Sequence, residues 1–273
     1  MLEIQKLYYK IGPQPILEDI SACIRPGQLT VLLGANGAGK STLLKVLAGE
    51  NKPFRGSVTL KGRAISSHRP QELALRRAVL TQQYSLSLPF RCREVVMMGR
   101  YPHFKQTPSC SDQELVRLAM EEMMVEQLAD RWFHTLSGGE QQRVQMARVL
   151  AQLYPLASVA TKFLLLDEPT SSMDCLQQQL CLRKAKELAQ AGCTVVVVLH
   201  DLNLAAQYAD QVLLLKNGKL LKAGASAEVF QPDLIRQAYG YEVEIIYHNG
   251  VDFPILLPVF TGSKQSVNAK KIA

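Results

Sequence analysis

No apolar run in this chain approaches the roughly 18 residues that a bilayer-crossing helix needs. The longest, such as Thr194–Leu199 and Gln211–Leu215, have the length of strands. The N-terminal MLEIQKLYYK carries charges where a secretory signal needs its apolar stretch, so export is not expected. Six cysteines (Cys23, Cys92, Cys110, Cys175, Cys181, Cys193) form no C-x-x-C pair, and five histidines no H-x-x-x-H pair. That spacing argues against a zinc site or a disulfide framework and suits reduced thiols in a cytosol. With 17 glycines and 13 prolines, the chain is neither linker-like nor collagenous, and no segment repeats at a fixed period.

What is present points to a folded protein. Apolar residues make up 47% and charged residues 20% of 273 positions, enough for a sizeable core in one large domain or two modest ones. The excess of 31 basic over 24 acidic side chains gives +7. A mildly basic surface suits nucleic acid, anionic lipid heads or a polyanionic small molecule, and does not choose among them.

Continuous apolar runs at Leu29–Leu33, Phe163–Leu166, Thr194–Leu199 and Gln211–Leu215 read as strands buried on both faces. Helical patterns lie between them, at Lys40–Ala48 and at Gln177–Gln190, which Gly192 stops. The alternation predicts an α/β fold. Leu2–Tyr8 and Ile16–Ile24 flank a GPQP turn and read as an antiparallel edge, so the sheet is expected to be mixed. From Ser85 to about Leu150 the pattern is nearly all helical. There Ser111-Asp112-Gln113-Glu114 reads as a capping box opening a helix to about Leu128, with Leu115, Leu118, Ala119 and Met123 on one apolar face. The expected organisation is core residues 1–84, a helical insertion over 85–152, core again over 153–240, and a C-terminal hairpin and frayed tail over 241–273. The hairpin is expected to join Glu242–Tyr247 to Val251–Leu256 through Asn249-Gly250.

Three segments carry chemistry. Gly34-Ala35-Asn36-Gly37-Ala38-Gly39-Lys40-Ser41 fits G-x-x-x-x-G-K-[ST], with a buried strand before it and a helix after it. Glycines let successive N–H groups point inward, the helix dipole favours an anion, Lys40 adds a point charge, and the Ser41 hydroxyl suits a Mg²⁺ shell. A plain glycine turn with a solvated lysine is the bland alternative, and the strand–loop–helix order argues against it. In the second segment, Phe163-Leu164-Leu165-Leu166 delivers Asp167 and Glu168 to a strand end. Two carboxylates there call for a cation or a reacting water: Asp167 beside Mg²⁺, and Glu168 polarising a water that attacks a γ-phosphate. The third, Leu136-Ser137-Gly138-Gly139-Glu140, has capping-box spacing and bares a second anion-seeking helix end.

Together these segments resemble an ABC-type ATPase subunit, a P-loop NTPase core with an inserted helical subdomain. The resemblance spans Leu2 to about Leu257. It implies that two copies pair head-to-tail, ATP lying between the Gly34–Thr42 loop of one and Ser137, Gly138, Gly139 and Glu140 of the other. It further implies a Mg²⁺- and water-sensing role for Gln82, with neighbouring Gln83 as the alternative, a γ-phosphate contact for His200, and an Asp174 that crosses the dimer interface. The family usually stacks adenine on an aromatic residue just before the first-turn glycine. Here Ile11 precedes Gly12, and Tyr9 is the nearby aromatic.

The stretch Glu94–His103, with its Gly99-Arg100-Tyr101-Pro102-His103, is similar to that of subunits energising iron–siderophore, haem and vitamin B12 importers. The tail Asn217-Gly218-Lys219…Gly224…Glu228-Val229-Phe230 is similar too, and the long connection Gln152–Thr161 most resembles haemin-import subunits. The resemblance implies work at the cytoplasmic face of a bacterial inner membrane, with transmembrane permease subunits touching Tyr84–Phe90 and Arg100–Phe104 and a periplasmic binding protein acting indirectly. Direct haem ligation by His103 beside Met97 and Met98 is the weaker reading against packing or a permease contact. A soluble ABC ATPase acting on nucleic acid or ribosomes is the competing class. Those proteins usually carry tandem cassettes or long coiled-coil insertions, and this sequence has neither.

Overall fold

The unbroken apolar runs become the interior strands of one sheet. The computed structural model describes residues 1–82, 88–156 and 162–259. Strands β1 (Leu2–Ile11) and β2 (Gln14–Ile24) precede β3 (Leu29–Leu33), which runs into α1 (Lys40–Leu47). Next come β4 (Arg55–Leu60), β5 (Arg63–Ala64), α2 (Pro70–Arg76) and β6 (Arg77–Leu80). The helical part holds α3 (Cys92–Met97), α4 (Cys110–Glu122) and α5 (Gly138–Leu153), with 3₁₀ turns at Met98–His103, Glu126–Leu128 and Phe133–Thr135. Core elements then resume with β7 (Phe163–Asp167), α6 (Cys175–Gln190), β8 (Thr194–Val198), α7 (Leu202–Tyr208), β9 (Gln211–Lys216) and β10 (Lys219–Gly224). The described chain closes with α8 (Ser226–Val229), α9 (Pro232–Tyr239), β11 (Glu242–Ile246) and β12 (Ile255–Val259).

The main sheet has the order β10-β9-β3-β8-β7-β6, parallel except for the antiparallel edge strand β10. Alternate residues of its strands enter two different apolar clusters. Leu29, Val31, Leu164, Leu166, Val195 and Val197 face one side; Leu32, Phe163, Leu165, Val196 and Val198 face the other. Both faces are therefore covered, which explains why these strands read as runs rather than alternations. Burying each such Leu or Val side chain stabilises the fold by about 1.5–3 kcal/mol, so a polar residue at Leu165 or Val197 would break the sheet's middle.

Three expectations change. β1 and β2 are not an edge of the main sheet: they form a second, antiparallel sheet, β2-β1-β4-β5, which meets the first where Glu18 N–H donates to Gly218 O at 2.8 Å. Helix α4 starts two residues early and stops at Glu122. Its cap is Ser109, whose hydroxyl accepts from Asp112 N–H while Asp112 Oδ2 accepts from Ser109 N–H at 2.9 Å. Its buried face is Val116, Ala119 and Met120, whereas Leu118 is 40% exposed. The first C-terminal strand stops one residue early and the second is displaced from Val251–Leu256 to Ile255–Val259. They pair from Ile246↔Ile255, so the connection through Asn249-Gly250 is long rather than a two-residue turn. The tail Gly262–Ala273 lies outside the described residues.

Candidate functional site

Four adjacent parallel strands end at one place. β3 leads into the glycine loop, β8 into His200, β7 into Asp167 and Glu168, and β6 into Gln82. Register enforces this, since Leu80 pairs with Leu166, Asp167 with Val198, and Val198 with Leu32. The crevice beyond the carboxyl ends of such strands is where an open α/β sheet takes a ligand. Here it is a cleft of about 760 Å³, lined by the loop from Asn36 to Thr42 with Gln82, Glu168 and His200.

Within the loop, Gly34 has φ 146° and a Cβ there would sit 2.4 Å from Leu215 O, so only glycine fits. Lys40 is 5% exposed, and its Nζ donates to Gly34 O at 2.8 Å and Ala35 O at 3.1 Å. Burial lowers its pKa against the pull of Glu168 and Asp167. One residue on, Ser41 Oγ donates to Asp167 Oδ1 at 3.0 Å. Asp167 is 3% exposed, and burial raises its pKa despite that hydrogen bond. A buried carboxylate beside a hydroxyl is a pair of hard oxygen donors, which fits Mg²⁺.

Glu168 has a left-handed backbone, φ 51°, a conformation that costs about 1–3 kcal/mol and clusters at functional sites. Its Oε2 accepts from Gln82 Nε2 at 2.6 Å, its Oε1 meets His200 Nε2, and its backbone carbonyl accepts from Gln142 Nε2 at 3.4 Å. Gln82, Glu168 and His200 thus form one hydrogen-bonded group, while Gln83 lies outside the described residues.

Ser137, Gly138, Gly139, Glu140 and Asp174 lie elsewhere. They line a separate cleft of about 660 Å³ with Arg143, Ser172 and Gln177, and it shares no lining residue with the first. Ser137 caps α5 in a capping box: Glu140 Oε2 accepts from Ser137 N–H at 2.8 Å and from its hydroxyl at 2.9 Å. Those bonds from the Ser137 backbone and hydroxyl, with Arg131 and Arg143 nearby, lower the pKa of Glu140. Asp174 caps α6 through Gln177 N–H at 2.9 Å. The two clefts thus stand apart in one chain.

The sequence profile of the ABC transporter family matches residues 17–171. The chain belongs to that family. Among ABC relatives, the hemin import ATP-binding protein HmuV of Gloeobacter violaceus is 44% identical over 263 residues, covering 96% of each chain. HmuV of Thermobifida fusca is 45% identical over 259 residues, 95% of this chain and 89% of that one. The fold is similar to a metal-chelate type ABC transporter in an inward-facing conformation, with TM-score 0.78 and 24% identity over 95% of this chain and 98% of that one. It is also similar to a dimeric bacterial ABC transporter cassette, with TM-score 0.72 and 25% identity over 83% of this chain and 99% of that one.

In this ABC cassette the remaining sequence-marked residues take structural places. Arg100 is 4% exposed, donates to Asp112 Oδ1 at 2.9 Å and Ala151 O at 2.8 Å, and also reaches Tyr154 O. His103 Nε2 bonds Gln152 O at 2.8 Å, which accounts for it as a packed residue. Arg100, His103 and Lys162 thereby satisfy carbonyls that end α5. Phe90 and Tyr101 line an apolar groove of about 620 Å³ with Met97, Val116 and Met120; residues 84–87 lie outside the described residues. Tyr9 is partly buried against the core, and the cleft wall near the first turn is Gln14 and Ile16, with Ile11 61% exposed. Gln142 and Tyr239, whose hydroxyl accepts from Gly34 N–H at 2.9 Å, were invisible to motif reading because only the folded chain brings them to the site.

Proposed function

We propose that this chain is the ATP-hydrolysing subunit of a bacterial ABC importer for haem, working as a head-to-tail pair on the cytoplasmic face of the inner membrane. The observation that carries the cargo is the 44–45% identity, over nearly the whole length, to proteins named for hemin import. Among the described residues no helix is long and apolar enough to cross a membrane, so a separate permease would supply the path. The groove lined by Phe90, Met97 and Tyr101 is our candidate for its contact. A periplasmic binding protein would act through that permease.

In this reading the glycine loop and Lys40 bind the ATP phosphates, and Ser41, Asp167 and Gln82 would hold Mg²⁺. When bound, that ion neutralises charge developing on the phosphate oxygens. Glu168 accepts the proton of the attacking water. Gln82 and His200 hold its carboxylate in place, and His200, which lines the same cleft as the glycine loop, would contact the γ-phosphate. Ser137, Gly138, Gly139 and Glu140, with Asp174, close over the nucleotide of the opposite copy. The separation of the two clefts supports sharing, because each chain then offers half of two sites. Closure on two ATP does mechanical work on the permease, and hydrolysis lets the pair reopen.

The test is reconstitution with candidate permeases and binding proteins in liposomes. Stimulation of ATP hydrolysis by haem-loaded binding protein supports the reading. Stimulation only by a ferric siderophore or vitamin B12 system keeps the machine and replaces the cargo.

A further inference from the structure

Gly34 is gripped from both sides. Its carbonyl accepts from Lys40 Nζ at 2.8 Å, and its N–H donates to the Tyr239 hydroxyl at 2.9 Å. The tyrosine lies 205 residues downstream, at the last position of α9, where Gly240 in the left-handed region (φ 82°) ends the helix. Helix α9 packs on β9 and β10, and the tyrosine ring rests against the main apolar cluster. Burial pushes its phenol up to about 12, so at physiological pH it is a neutral hydroxyl. Gly34 has no room to shift toward β9, because the space beside its Cα is taken by Leu215 O. The first peptide of the loop therefore lies in a slot walled by the end of β9 and the tip of α9.

We propose that Tyr239 is a positioning residue for nucleotide binding, its hydroxyl fixing the first peptide of the glycine loop in the shape that receives phosphate. This rests on reading that loop as the ATP site. The Lys40 ammonium, already bonded to Gly34 O and Ala35 O, turns one or more of its three donors to a phosphate. The bond to Tyr239 makes no such exchange and holds the loop through binding. Without the hydroxyl, Gly34 N–H loses its acceptor and the loop samples other shapes, so binding weakens. The hydrolytic group is spared, since Glu168, His200 and Gln82 stand on the ends of β7, β8 and β6.

The experiment compares Tyr239→Phe with the parent and with Tyr241→Phe, a neighbour whose ring centroid lies 6.0 Å away. Loss of one such bond should raise both KM and Kd for Mg·ATP about three- to tenfold in Tyr239→Phe. Its kcat should stay within about twofold, and Tyr241→Phe should match the parent. An unchanged KM overturns the proposal, whether or not the melting temperature falls, and so does a drop in kcat at constant KM. Should Tyr239→Phe fail to fold, amide hydrogen exchange on the parent decides: a slow Gly34 amide without nucleotide supports the anchor, and a fast one removes it. A parent that does not bind Mg·ATP at all refutes the nucleotide site itself, a result the exchange measurement keeps separate.

Discussion

Replacing Glu168 with glutamine tests the carboxylate at the end of β7 with almost no change in shape. In the parent, Oε2 accepts from Gln82 Nε2 at 2.6 Å and Oε1 meets His200 Nε2. An amide offers one acceptor oxygen in place of two, and the group no longer takes a proton. Loss of a general base lowers turnover about 10²- to 10⁴-fold, or about 3–5 kcal/mol on the barrier. Binding should be nearly spared, because the bonds that shape the loop, from Lys40 to Gly34 and Ala35 and from Ser41 to Asp167, do not involve the Glu168 side chain. The assay pairs steady-state phosphate release with equilibrium binding of Mg·ATP. The expected result is kcat down at least about a hundredfold with Kd within about threefold. Turnover like the parent's, or affinity lost in proportion to turnover, would refute the assignment.

Three further outcomes follow from the packing and charge around α5. In Gly99→Ala the new Cβ would lie 2.2 Å from Arg148 O, a backbone atom, so denaturant unfolding should show a loss of about 2 kcal/mol or more; an unchanged midpoint refutes the close approach. Removing one partner of the buried Arg100–Asp112 pair should cost about 3–5 kcal/mol. Arg100→Met should show that loss in urea melts, because it also strips Ala151 O of its donor, and an unchanged midpoint would contradict the buried pair. Glu140 titrates below its ordinary 4.5 in the folded protein, so the unfolded chain binds that proton more readily. Its stabilisation is full above the unfolded value and is lost as pH falls through the lowered one. Urea midpoints followed down from neutral pH should thus fall less steeply for Glu140→Gln, and parallel curves would contradict the capping box.

Much of the fold is legible where chemistry is local or periodic. β3, β7, β8 and β9 read correctly because burial on both faces leaves an unbroken apolar run. The capping box at Ser137 reads correctly because its partners stand three residues apart. Helix α4 is misplaced for a physical reason: Ser109 and Ser111 both stand three residues before an acidic side chain. Ser109 takes the cap, and its partner Asp112 is also bonded by Arg100 from another segment, a contact that local spacing does not reveal. Ala119 and Met123 of the expected face are buried and Leu115 packs against the core, while Leu118 is exposed and Val116 and Met120 are buried instead. The separation of the β1–β2 sheet from the main one is likewise a matter of long-range pairing, with β1 taking β4 as its second neighbour. In the site, residues carried by contiguous motifs are visible in sequence. Tyr239 and Gln142 are not, since each reaches the site only through tertiary contact.

That two opposed copies grip each nucleotide is tested most directly by molar mass in solution. Glu168→Gln, saturated with Mg·ATP and measured by light scattering, should give twice the 30.3 kDa of one chain and return to a single chain when nucleotide is removed. Adding Ser137→Arg to that background should keep it at the single-chain mass while ATP still binds. A single-chain mass for Glu168→Gln under saturating Mg·ATP, together with full hydrolysis by a strictly monomeric parent, contradicts the shared site.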